Sequence, residues 1–143
     1  MADNSKDVGD ETEARILHEL IASGFSVSLP FGDNDSYDLV VDDRGDLYRI
    51  QCKTAWTTRN GTMRFNTHSQ TTREGEYYET TYLGEIDAFL VRYPANETLY
   101  WVDVEDATRQ KMEFRFTAAI DHPSINWAED YEFTGEIPTD DDS

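Results

Sequence analysis

The stretch from Tyr37 to Lys53 constrains the fold of this chain more than any other. Tyr37-Asp38-Leu39-Val40-Val41 is β-branched and apolar, Asp42-Asp43-Arg44-Gly45 carries turn residues, and Leu47-Tyr48-Arg49-Ile50-Gln51-Cys52-Lys53 resumes an extended pattern. The segment predicts a β-hairpin. Successive strand side chains point to opposite faces, so Arg49, Gln51 and Lys53 share one face while Ile50 and Cys52 take the other. Pairing across the turn sets Asp38 opposite residue 49, 50 or 51, according to turn type and any bulge. An acid, an amide oxygen and an ammonium can then converge on one rim of a sheet.

The hairpin needs a partner layer, and the preceding residues supply one. Asp10 to Ser23 places Ile16, Leu17, Leu20 and Ile21 at helical spacing, with acids in the first turn and Gly24 just past the end; this predicts an amphipathic helix. Glu13 lies three and four residues before Ile16 and Leu17, at the end of the buried stripe and aimed at the sheet, whereas Glu11 and Glu19 fall towards solvent. Phe25 to Leu29 alternates as a short strand closed by Pro30, and Phe31 to Ser36 is turn chemistry leading into Tyr37.

A second feature is compositional. The chain holds 30 acids among 143 residues, yet none falls between Tyr48 and Arg73. That window carries Arg49, Lys53, Arg59, Arg64, His68 and Arg73 among many threonines, asparagines and glutamines. Hydroxyls, amides and arginines without carboxylates suit phosphate oxygens and base edges, while Asn60-Gly61 marks a hairpin turn within the run.

Beyond the window the pattern is scaffold. Ala88 to Val91 reads as a core strand ended by Pro94-Ala95-Asn96, Thr98 to Val104 as its hairpin partner, and Met112 to Thr117 as another strand. Trp127 to Phe133 is a terminal segment able to dock aromatics on the sheet, and Tyr77, Tyr78, Tyr82 and Trp101 read as core aromatics. At this length a single domain spanning 1–143 is expected, with flexible tails at 1–8 and 138–143.

Charge bounds the setting. With 12 basic residues against the acids, the net charge is -18, and Lys6, Lys53 and Lys111 are the three lysines. So acidic and lysine-poor a surface fits work in concentrated salt, where self-repulsion is screened; a halophile's cytoplasm is expected. The lone Cys52 excludes an internal disulfide and a cysteine-rich zinc site. No apolar run approaches a membrane span, the first ten residues lack signal-peptide order, and no GxGxxG or phosphate-binding loop calls for an organic cofactor.

Glu13, Asp38 and Gln51-Cys52-Lys53, on helix, strand and strand in that order, resemble the PD-(D/E)XK nuclease superfamily. More narrowly, Gly32-Asp33-Asn34, Tyr37 to Val41, Tyr48 to Thr54 and Tyr82-Leu83-Gly84-Glu85-Ile86-Asp87-Ala88-Phe89 are similar to its small branch that includes group I intron-encoded homing endonucleases. In that branch glutamine replaces the second acid, and the last of these segments corresponds to the next core strand. Tyr37 stands where the family's proline would be.

The resemblance implies an α/β (α+β) restriction-endonuclease-like domain, with the N-terminal helix packed on a central mixed β-sheet with hairpins. It implies a DNA endonuclease using Mg²⁺ (or Mn²⁺), held by Asp38, the Gln51 amide oxygen, the Cys52 backbone carbonyl and Glu13. Glu13 would replace the charge lost at Gln51, and Lys53 would orient or help deprotonate the attacking water. The Cys52 side chain faces the core and packs rather than reacts. Arg59, Arg64 and Arg73 are candidate DNA contacts, and binding DNA in molar salt favours a homo-oligomer gripping two strands or half-sites. A Holliday junction resolvase-like nuclease and a catalytically inactive nucleic-acid-binding module are the alternatives.

Overall fold

The computed structural model describes residues 5–32, 35–73, 76–107, 111–117 and 122–138. Helix α1 (Ser5–Ala22) starts five residues before the expected Asp10, so residues 5–8, expected in a flexible tail, belong to the helix. No proline interrupts Lys6-Asp7-Val8-Gly9, and the helix runs back through them. Residues 1–4 and 139–143, the rest of the expected tails apart from residue 138, and Asp33-Asn34 lie outside the described residues. Thr12, Ile16 and Leu20, spaced four apart, are fully covered, which is the stripe one helix face presents. Ile21, expected on that stripe, is exposed; it follows Leu20 by about 100° around the axis and misses the sheet.

The strands follow as β1 (Ser26–Ser28), β2 (Leu39–Asp43), β3 (Asp46–Thr54), β4 (Trp56–Thr57), β5 (Met63–Asn66), β6 (His68–Arg73), β7 (Glu76–Thr81), β8 (Ala88–Tyr93), β9 (Thr98–Asp103) and β10 (Lys111–Phe114). The hairpin forms as expected, with Asp43 paired to Asp46 around Arg44-Gly45. Both turn residues have positive φ, 57° and 99°, the pattern of a two-residue turn whose twist matches that of the strands. Its first position, held by Arg44, is one glycine or asparagine would occupy with less strain.

A five-stranded mixed sheet runs in the order β1-β2-β3-β8-β9, with β3 and β8 parallel and the other neighbours antiparallel. A parallel pair needs a long crossover, and β4 to β7 occupy it. They build a second sheet, β10-β5-β4, and a two-stranded ribbon, β6-β7. Every residue of β8 is buried, as a central strand covered on both faces requires. Residues 82–87, expected to begin this strand, instead form a turn carrying only the isolated Leu83–Ile86 bridge; Gly84 has φ 84°, which ends extended geometry there.

Two cores result. Ile16 and Leu20 of α1 pack on Leu39, Val41, Ile50, Leu90 and Trp101. On the opposite face Phe89, Val91 and Val102 pack against Met63, Phe65, Met112 and Phe114 of the second sheet. The terminal segment docks as anticipated: Phe133 stacks on Trp101 at 6.0 Å, and its N–H donates to the Leu99 carbonyl at 2.8 Å. The molecule is thus three layers, helix on mixed sheet on small sheet, which is the expected α/β architecture.

Candidate active site at the broken edge of the hairpin

Asp38 sits where regular pairing of β2 and β3 ends. The ladder pairs Leu39 with Ile50, and continuing that register would oppose Asp38 to Gln51. Instead the Asp38 N–H donates to the Ile50 carbonyl at 2.8 Å. The faces change at the same place: Leu39 belongs to the helix-side core, whereas Tyr37 packs against the opposite core. On an unbroken strand residues two apart share a face, so the pleat breaks at Asp38. The carboxylate then reaches along the sheet, and its Oδ2 accepts the N–H of Cys52 at 2.8 Å. This satisfies a donor that β2, having ended, no longer meets with a carbonyl.

On β3 the alternation holds. Gln51 and Lys53 pair with Phe89 and Val91, on the face away from the helix. Ile50 and Cys52 pair with Ala88 and Leu90 beneath it. The expected site residues therefore do not share one face. Glu13 approaches from the helix side, Gln51 and Lys53 lie on the other, and Asp38 stands at the edge between them. Because a strand residue directs its N–H and C=O to the same neighbour, the Cys52 carbonyl also opens towards Asp38.

The charges register this arrangement. Burial, then the negative charges of Asp38 and Asp10, raises the Glu13 carboxyl above its usual range. Burial raises Asp38 as well, opposed by the Cys52 N–H and the Lys53 ammonium. Burial lowers the Lys53 pKa, with Asp38 acting to restore it. Asp38 is thus felt by Glu13 on one side and by Lys53 on the other. Burial, reinforced by both acids, pushes the Cys52 thiol well above its ordinary value, and a thiol held protonated is inert. Packing is its role, as the sequence implied.

Lys53 has a partner the sequence did not disclose. Its Nζ donates to the Tyr82 hydroxyl at 3.3 Å and lies 5.0 Å from the centre of that ring. Tyr82 is buried, like Trp101, as expected of both, but its hydroxyl faces the site; Tyr77 and Tyr78 have side chains outside the described residues. No local signal links Tyr82 to a lysine 29 residues away.

Of the three candidate DNA contacts, Arg59 is exposed in the turn between β4 and β5. Arg64 instead donates to Glu113 at 3.0 Å, and the same carboxylate accepts the Thr62 hydroxyl at 2.6 Å. The acid-free window is therefore free of acids in sequence only, since β10 returns one beside β5. Arg73 closes β6, opposite Glu76, with its side chain outside the described residues.

A helix, two strands and a QxK triplet in this order are now joined by geometry, and the family model of the PD-(D/E)XK endonuclease matches residues 3–134. The chain belongs to the PD-(D/E)XK endonuclease family. No curated protein matches it. Among solved structures, the bacterial homing endonuclease I-Ssp6803I superposes with a TM-score of 0.77 at 22% identity, over 91% of this chain and 89% of that one. At that identity the likeness speaks for the fold. This PD-(D/E)XK chain carries Asp38 and a half-buried Lys53 at the edge of its mixed sheet, and among the described residues no helix is long and apolar enough to cross a membrane.

Proposed function

We propose that this endonuclease is a metal-dependent DNA hydrolase whose site is formed by Asp38, Glu13, Gln51, the Cys52 carbonyl and Lys53. The observation that carries the reading is Asp38 at the break in the pleat, with a second carboxylate on one side and an ammonium on the other. Two carboxyls raised by burial, Glu13 also by the charge of Asp38, are poorly served by their own surroundings, and a cation between them would relieve both.

The donor set fits a hard divalent ion. The proposed set is two carboxylates, an amide oxygen and a backbone carbonyl; among the described residues no three His, Cys, Asp or Glu side chains are grouped to hold a metal. Mg²⁺ (or Mn²⁺) suits such a set, because it commonly takes one or two carboxylates and keeps several waters. When bound, the cation would offset negative charge developing on the phosphate during hydrolysis. Lys53, with its proton affinity lowered by burial, would orient the attacking water and steady the phosphoryl oxygens. Gln51 in place of an acid weakens the hold on the cation, and Glu13 compensates.

We propose a homing role as well, supported by the structural neighbour, itself a homing endonuclease, and by the likeness to the branch with the glutamine triplet. Arg59 would contact DNA directly and Arg64 after release from Glu113, with Arg73 the third proposed contact. The net charge of -18 repels DNA at low salt, so close contacts in a homo-oligomer would carry binding in a salt-rich cytoplasm.

The test is plasmid nicking with Mg²⁺ in high KCl. Cleavage by the wild type, abolished in both Asp38→Ala and Lys53→Ala, is the expected result; inertness across metals and substrates would identify a binding module instead. Preference for a four-way junction over linear duplex would move the assignment to a resolvase-like nuclease.

A further inference from the structure

Tyr82 follows directly on the β6-β7 ribbon and is held from several directions. Its ring packs edge-on against Phe89, 5.4 Å between centres and 90° between planes, in the core that contains Met63 and Phe65. Its carbonyl accepts the N–H groups of Glu85 and Ile86 at 2.9 and 3.2 Å. What this fixed side chain offers to the site is one hydroxyl and one ring face, and Lys53 uses both.

A lysine stem has four rotatable bonds, so an ammonium directed at a reacting group must be restrained by something. Taking the endonuclease reading as its basis, we infer that Tyr82 is the positioning residue of Lys53, fixing by ring and hydroxyl together the direction from which the ammonium meets the scissile phosphate. The chemistry of the two groups is complementary. The aromatic face attracts the cation, and the phenol oxygen accepts one of three N–H donors, leaving two for the reacting groups. Tyr82 itself need touch neither DNA nor metal. Placed 29 residues from Lys53 at the foot of the ribbon, it also makes the lysine's aim dependent on how that ribbon is rooted.

The chain's three lysines make a direct test practical. With ¹³Cε-labelled lysine, assigned through Lys6→Arg and Lys111→Arg, the Lys53 signal of the wild type should carry a ring-current shift. Tyr82→Phe, which keeps the ring and its packing, should retain most of that shift, and Tyr82→Leu should lose it. In single-turnover cleavage Tyr82→Phe should slow the chemical step about tenfold with DNA affinity unchanged, and Tyr82→Leu should slow it further. A wild-type Lys53 signal without a ring-current shift, or Tyr82→Phe and Tyr82→Leu cleaving at the wild-type rate, would overturn the inference. A wild type that cleaves nothing while its Lys53 signal is shifted would defeat the endonuclease reading and leave the Lys53–Tyr82 contact standing, so the two failures are told apart.

Discussion

The Asp38 carboxylate accepts the main-chain N–H of Cys52 at 2.8 Å, a bond that takes the place of a strand carbonyl and seats the acid in line with the sheet. Asp38→Asn keeps an oxygen for that N–H, whereas Asp38→Ala strands the donor at a cost of about 1–3 kcal/mol. The sign of the charge effect is opposite. Asp38 has a raised pKa in the folded state, so its ionised form weakens the fold: no penalty exists below the unfolded value of about 3.9, and stability is lost as pH rises through the native pKa. Asp38→Asn should therefore melt higher than wild type at pH 7 without divalent metal and equally near pH 3, with Asp38→Ala below Asp38→Asn throughout. Thermal melts at the two pH values check this, and both variants should fail to cleave DNA.

Metal linkage gives a second expectation. An ion that binds only the folded chain raises stability by about 2.7 kcal/mol at a hundred times its dissociation constant, so Mg²⁺ should raise the wild-type Tm and leave that of Asp38→Asn where it was. Glu13→Gln should reduce the response. Gln51→Glu restores the missing charge and should reach the same rise at lower Mg²⁺, while melting below wild type in its absence, because a further carboxylate joins two already raised by burial. A Gln51→Glu chain indifferent to Mg²⁺ would remove residue 51 from the donor set.

What the residues announced in advance was whatever short-range chemistry dictates. Asp42 to Gly45 fixed the hairpin, and Ile16 and Leu20 at helical spacing fixed the helix face, but not the burial of Thr12 or the exposure of Ile21. The alternation of β3 separated Ile50 and Cys52 from Gln51 and Lys53, but did not say which of the two faces lies beneath that helix. The break at Asp38 was not legible, because Tyr37 to Val41 reads as one continuous strand and only the opposite packing of Tyr37 and Leu39 reveals the change. Nor were the partners of Lys53 and Arg64, which lie 29 and 49 residues away. Arg92 was hidden for another reason, directly after a run read as core. Its guanidinium is nearly covered yet bonds Glu97 at 2.9 and 2.8 Å.

Arg92 supports the site from beneath. It pairs in register with Thr54, approaches Glu11 at 3.6 Å and donates to the Thr12 hydroxyl at 3.5 Å, while Thr12 and Thr54 share a bond of 2.6 Å. These contacts fix the turn of α1 that bears Glu13. Glu11 and Glu97 are exposed and rehydrate, so the loss falls on the covered stem of Arg92 and its bond to Thr12, and Arg92→Met should lower Tm by a few degrees in both low and molar KCl. It should also blunt the Mg²⁺ response through displacement of Glu13. A Tm loss that vanished in high salt would mark Arg92 as an ordinary surface charge.

Glu113 restrains Arg64, one of the proposed DNA contacts. It engages Arg64 and the Thr62 hydroxyl, contacts that hold its carboxyl below the usual range, Thr62 first and Arg64 after it, so it stays ionised throughout the neutral range and keeps Arg64 occupied. Glu113→Gln removes the negative charge while leaving an oxygen for Thr62, and it frees Arg64 for a phosphate. One additional phosphate contact steepens the dependence of log K on log salt by about 0.9. Fluorescence anisotropy with a duplex across a KCl series should therefore give Glu113→Gln tighter binding at the low-salt end and a steeper slope, with the two chains converging as salt rises. Arg64→Gln combined with Glu113→Gln should return the wild-type slope, because the extra phosphate held by the single variant is held through Arg64. If the double variant kept the steeper slope, the tighter binding would come from lifting general repulsion by the acid, and Arg64 would have no part in holding DNA.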